Sequence, residues 1–182
     1  MRMKHFLVII TMAISTVLIA QSAPTNNWTW LIGTWKGEGD GQPGKGSGTF
    51  TFAYDLDNKV ITRKSHSDYP ATDDKPAVIH NDLMVVYGSA NGNPTKAIYF
   101  DNEAHTINYT VTYADKKIIL LSDKIKGQPV FRLTYTMLDA ETANTKFEMS
   151  ADGEKFTTYV EGKSKKVVKQ TFDLFQPAPL GK

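Results

Sequence analysis

Three stretches of this chain place a bulky apolar side chain at every second position, and that alternation leaves few folds open. In GTFTFAYDL, Phe50, Phe52 and Tyr54 fall on one side of an extended backbone, with Thr49, Thr51 and Ala53 on the other. HTINYTVTY opposes Ile107, Tyr109, Val111 and Tyr113 to Thr106, Asn108, Thr110 and Thr112. VFRLTYTML opposes Phe131, Leu133, Tyr135 and Met137 to Arg132, Thr134 and Thr136. A period of two belongs to strands with one face buried and the other in water. Short turn-forming runs (DLDNK, SANGNP, FDNEAH, YADKK and SADGEK) lie between the strands, so consecutive strands join as hairpins in sequence order. The pattern predicts an all-β chain of about ten strands, from near Thr34 to near Lys163, with no long helix and no internal repeat. A meander of that length removes its exposed edges by closing on itself. A single antiparallel up-and-down β-barrel is therefore expected.

In a closed barrel one face of every strand points inward. The aromatic face gains most by leaving water, roughly 1.5–3 kcal/mol for each large apolar side chain. Phe50, Phe52, Tyr54, Tyr109, Tyr113, Phe131 and Tyr135 are accordingly expected to line the lumen and to form its ligand-binding surface.

The first 23 residues stand apart from this pattern. Arg2 and Lys4 precede an apolar run from Phe6 to Ala20, and small residues follow at Ser22 and Ala23. A charged start, an apolar middle and a small-residue end describe a secretory signal peptide, so a periplasmic or secreted protein is expected, with no membrane span after processing. The chain then divides into a signal peptide at 1–23, a barrel domain at 24–165 and a closing segment or tail at 166–182. The tail carries Phe172, Leu174 and Phe175 ahead of its prolines, and either adds a strand or packs across the barrel. SDYPATDDKPA, residues 67–77, reads as a polar loop long enough to cover a barrel mouth. The whole chain has 21 basic and 19 acidic residues, and loss of Arg2 and Lys4 leaves 19 of each. A neutral domain lacks the charge footprint of a nucleic-acid binder. The absence of cysteine excludes disulfides, thiolate metal sites and a lipid-modified N-terminus.

All three tryptophans, Trp28, Trp30 and Trp35, fall within WTWLIGTW, followed by a glycine-rich turn. Gly33, Thr34 and Trp35, at the start of the first strand, resemble the short signature of the calycin superfamily, which includes lipocalins, fatty-acid-binding proteins and nitrobindins. LIGTWKGEGDG, YFDNEAHTINYTV, VFRLTY and FEMSADGEKFTTYVEG are similar to bacterial lipocalin-like and nitrobindin-like domains, and the resemblance spans most of residues 28–163. It implies a barrel whose narrow end is plugged by the Trp35 indole, with Trp28 and Trp30 packed nearby.

The resemblance also poses tests. Nitrobindins hold haem through a histidine late in the chain. Here the histidines are His5, His66, His80 and His105, and none follows, so no haem and no other cofactor is expected. Fatty-acid-binding proteins hold a carboxylate with arginine and tyrosine. Arg132 and Tyr135, three apart, fall on opposite faces of one strand, so that clamp is not expected, and Arg132 is expected outside, paired with Glu148 or Asp139. His66 and His80, joined by Asp82 if the two approach each other, are the remaining candidates for a small metal or acid–base site. No nucleophile elbow, phosphate loop or zinc-protease motif occurs. The expectation is non-covalent binding of a small hydrophobic or amphipathic molecule in the lumen. The alternatives are a solid-cored barrel acting through surface partners, or a nitrobindin-like enzyme of haem or reactive nitrogen.

Overall fold

The computed structural model describes residues 27–38, 46–73, 76–88 and 93–168. Ten strands run in order: β1 (Gly33–Gly37), β2 (Ser47–Asp55), β3 (Val60–Tyr69), β4 (Val78–Tyr87), β5 (Lys96–Asp101), β6 (Thr106–Ala114), β7 (Lys117–Ser122), β8 (Val130–Met137), β9 (Thr142–Ser150) and β10 (Thr157–Lys166). Each pairs antiparallel with its neighbour in sequence, and β1 closes the barrel against β10. The closing seam is short: Trp35 faces Lys166, Lys36 faces Lys165 and Gly37 faces Ser164. The expected signal peptide lies outside the described residues, as does the tail from residue 169 onward. Lys166 belongs to β10, and the Val167 amide donates to the Thr34 carbonyl.

Strand β3 runs further than the turn residues suggest. Ser67 and Tyr69, expected in a loop, continue the inward parity of Ile61, Arg63 and Ser65, and Asp68 pairs with both Ser47 and Ile79. The alternation outweighs the polar composition.

The β2–β3, β4–β5, β6–β7 and β8–β9 turns share one end of the barrel, the base, with residues 27–32. There Trp28 and Trp35 are fully buried beside Phe52 and Leu31. The Trp35 indole N–H donates to the Leu31 carbonyl at 2.8 Å, stacks on Phe50 at 6.3 Å between centroids and takes Trp30 edge-on at 6.2 Å. The Trp28 indole donates to the Tyr113 hydroxyl at 2.8 Å, so neither buried ring leaves its N–H unsatisfied. Gly33 enters β1 with φ of 123°. A Cβ there would also meet Lys166 Cε at 3.1 Å, so the turn from the tryptophan segment into the strand requires glycine.

Candidate functional site

The upper end of the barrel is built from different side chains on the same strands. β1 stops at Gly37 after five residues, while its neighbours β2 and β10 have nine and ten. Beside this notch lies a cavity of about 190 Å3. Phe50 and Arg63 line its deeper side, Ser65, Ser67, Thr145 and Ser164 its walls, and Tyr69 and Val160 its outer part. Gly46 lets the Tyr69 ring lie against the backbone, because a Cβ at Gly46 would sit 2.6 Å from that ring.

Three charged residues line this cavity, the half-buried Glu161, the exposed Lys163 and Arg63, of which Arg63 is the most buried. It sits on β3 with Ile61, two residues away on the same face, and its side chain is only 12% exposed. Nη2 donates to Asp82 Oδ2 at 2.8 Å and Nη1 to the Tyr135 hydroxyl at 2.6 Å. Burial opposes the cation, but Tyr135 and Asp82 outweigh it, and its pKa is raised. Burial pushes the Tyr135 hydroxyl up to about 12, against the pull of Arg63. Three buried polar atoms, Arg63 Nε, Asp82 Oδ1 and Thr145 Oγ1, have no hydrogen-bond partner among the described residues. Arg63 and Thr145 both line the cavity.

From Asp82 a polar network continues along β4 and β5 to the surface. His80 Nε2 lies 4.0 Å from Asp82 Oδ2 and 3.0 Å from the Tyr99 hydroxyl, and its Nδ1 lies 3.3 Å from Glu103 Oε1. The Tyr99 hydroxyl also reaches Asp101 Oδ2 at 3.3 Å. Burial first, then the charges of Asp82 and Asp101, raise the Tyr99 pKa. Asp101 accepts from His105 Nδ1 at 2.9 Å and from the amides of Glu103 and His105. Its pKa is lowered because those hydrogen bonds outweigh partial burial, and the hydrogen bond to Asp101 raises that of the exposed His105.

The structure separates the expected histidine pair. His66 faces outward and meets Asn81 at 2.8 Å, while His80 faces inward, so the two occupy opposite sides of the sheet. Among the described residues no three histidine, aspartate or glutamate side chains are grouped to hold a metal ion. Arg132 is outside, paired with Glu148 at 2.7 Å, and Tyr135 is inside. The arginine that meets Tyr135 is Arg63, on a strand that closure of the barrel brings to β8.

The seven aromatic residues expected in the lumen divide by height. Phe50 lines the cavity. Phe52 and Tyr135 pack edge-on at 5.4 Å beneath it, and Tyr109 is buried. Tyr54 and Tyr113 belong to the base, where Tyr113 holds Trp28 and the Tyr54 hydroxyl lies 3.5 Å from Thr29 Oγ1. Phe131 stacks on Phe147 at 5.5 Å in the upper wall. A second concavity, of about 540 Å3, lies on the outer face of β7–β10. Lys146 there bridges Glu148 at 3.5 Å and Glu161 at 3.8 Å, a solvated network rather than a buried site.

No protein-family model matches the sequence, and no curated protein does. Among solved structures, the crystal structure of Rv2717c from M. tuberculosis is similar at a TM-score of 0.48 and 12% identity, covering 77% of this chain and 94% of that chain.

Proposed function

We propose that this is a binding protein whose small, partly apolar ligand sits in the upper barrel, with an anionic or other hydrogen-bond-accepting group toward Arg63. One observation carries the reading. In a barrel whose base is filled by fully buried rings, the Arg63 cavity is left open among the described residues, and two buried polar atoms of its lining lack partners among them. Buried polar atoms are nearly always satisfied, so such exceptions call for a reason. Arg63 commits two of its five N–H donors to Tyr135 and Asp82, which leaves donors for an acceptor on a ligand. Phe50, Tyr69 and Val160 supply apolar contact.

The volume limits the ligand. About 190 Å3 is below the roughly 300–1,000 Å3 of sites for drug-sized molecules, and equals about six waters at their share of liquid volume. A single ring or short chain with a carboxylate fits such a space; a macrocycle such as haem is not proposed. Arg63 donates to both Asp82 and Tyr135, which favours binding over catalysis. A lipocalin-like or nitrobindin-like kinship is part of the proposal, supported by Gly33-Thr34-Trp35 at the start of β1. Export is part of it too, supported by the first 23 residues.

Titration with 4-fluorobenzoate, followed by fluorine NMR, tests the site. Saturable binding that is lost in Ser65→Phe supports it. Binding that survives Ser65→Phe moves the ligand elsewhere, and absence of binding removes the site.

A further inference from the structure

The histidine above Asp82 has a hydrogen-bond arrangement with two self-consistent states. Glu103 is a carboxylate and can only accept, so the proton of a neutral His80 ring resides on Nδ1, 3.3 Å from Glu103. Nε2 is then an acceptor and takes the Tyr99 hydroxyl proton at 3.0 Å. Tyr99 has a second claimant for that single proton, Asp101 Oδ2 at 3.3 Å. When His80 gains a proton both ring nitrogens donate, and the Tyr99 hydroxyl turns to Asp101. Nε2–H then has a further acceptor in Asp82, now 4.0 Å away. The oxygen at that distance is Oδ2, which accepts from Arg63 and, as a carboxylate oxygen, has a second lone pair for His80. An approach of about 1 Å brings the gap to hydrogen-bond length.

We infer that His80 is a proton switch acting on Arg63 through Asp82, so that ligand binding in the cavity tightens as His80 becomes protonated. The inference rests on the reading of the cavity as a ligand site for an acceptor group. Protonation of His80 adds one positive charge to the cluster of Arg63, Asp82, His80 and Glu103, and Asp82 is then shared between two cations. Histidine is the side chain whose ordinary titration falls in the physiological range. The charged and titratable groups around it are Asp82 on its own strand, Arg63 on β3, Tyr99 and Asp101 on β5, and Glu103 and His105 in the β5–β6 turn.

The test uses protein labelled with nitrogen-15 arginine and carbon-13 histidine, titrated from about pH 8 to about pH 5.5 around the histidine range. The Arg63 side-chain signals are expected to move with the midpoint of the His80 ring. 4-Fluorobenzoate, ionised throughout, is expected to bind about fivefold or more tightly at the acid end. His80→Gln, whose amide serves both Glu103 and Tyr99, is expected to keep the weaker binding and lose the pH dependence, while His105→Gln keeps both. In Asp82→Asn, His80 is expected to titrate without moving Arg63. Arg63 signals that ignore the His80 midpoint in the unmutated protein overturn the switch, whatever the probe does. Arg63 signals that follow His80, with a probe that binds at no pH, support the switch and overturn the reading of the cavity instead.

Discussion

At the base of this barrel, Trp28, Trp35, Phe52 and Leu31 exclude water completely, and each indole N–H is answered within the segment or by a facing tyrosine. At the upper end, the inward positions of β3 carry Ser65 and Ser67, those of β10 carry Gly162 and Ser164, and a charged pair takes the place of a filled centre. The two regions belong to the same strands and share the same parity, yet one is a packed core and the other a polar chamber. Inward direction alone therefore does not make a residue part of a site. Size and polarity along the strand decide where filling stops.

The strongest way to break the contrast is at the base. Trp35→Ala is expected to lower unfolding stability by about 3–5 kcal/mol, read from urea denaturation, because the vacated volume borders Phe50, Trp30 and Leu31. A loss under about 1 kcal/mol would show that the plug is not structural. Nearly as large an effect is expected from the charged pair in the other half. Asp82→Ala leaves Arg63 buried without its counterion, which costs about 3 kcal/mol or more. Arg63→Met with Asp82→Leu is expected to restore most of that stability while 4-fluorobenzoate binding is lost. That separation would assign the pair to binding rather than to folding.

A smaller effect sharpens the upper half. Ser65→Phe grows into the cavity and is expected to change stability by no more than about 1 kcal/mol, far less than the Trp35 change, since it fills space instead of opening it. Large destabilisation would show that the upper region is as tightly packed as the base. Smallest is the β2–β3 turn, where Leu56, Asp57 and Asn58 all adopt positive φ. Asparagine and aspartate tolerate this conformation, and leucine pays about 1–2 kcal/mol for it. Leu56→Gly, at an exposed position, is expected to raise stability by up to about 1 kcal/mol, after the entropy that glycine restores to the unfolded chain.

Local sequence carries the architecture well because strand parity and turns are local properties. The alternation in β2, β6 and β8 gives the inward face, and the tryptophan segment marks the base. Arg132 is outside and paired with Glu148, as its parity with Tyr135 requires. What local sequence does not carry is which inward residues meet across the lumen. Arg63 and Tyr135 are 72 positions apart, and only closure joins them. A signal existed: Ile61, Arg63, Ser65, Ser67 and Tyr69 share one parity, so an inward arginine followed by two serines was readable from β3 alone. The His80–Tyr99–Asp101 chain had no comparable signal, since polar residues at strand ends occur equally in solvated turns.

The three-pair seam between β1 and β10 also sets an order of events. Nine of the ten pairings join strands adjacent in sequence and separated by at most nine residues, whereas the seam joins the first strand to the last. Closing so long a loop carries the largest entropic cost of any pairing in the molecule, and contacts of that separation slow folding. When the chain emerges N-terminus first, Trp35 must wait for Lys166 before its strand has a second partner. Until then the sheet is an open, twisted ribbon with two unpaired edges, and the chamber beside Gly37 lacks its β10 wall. The cavity is thus a feature that the barrel acquires only once β10 has been delivered.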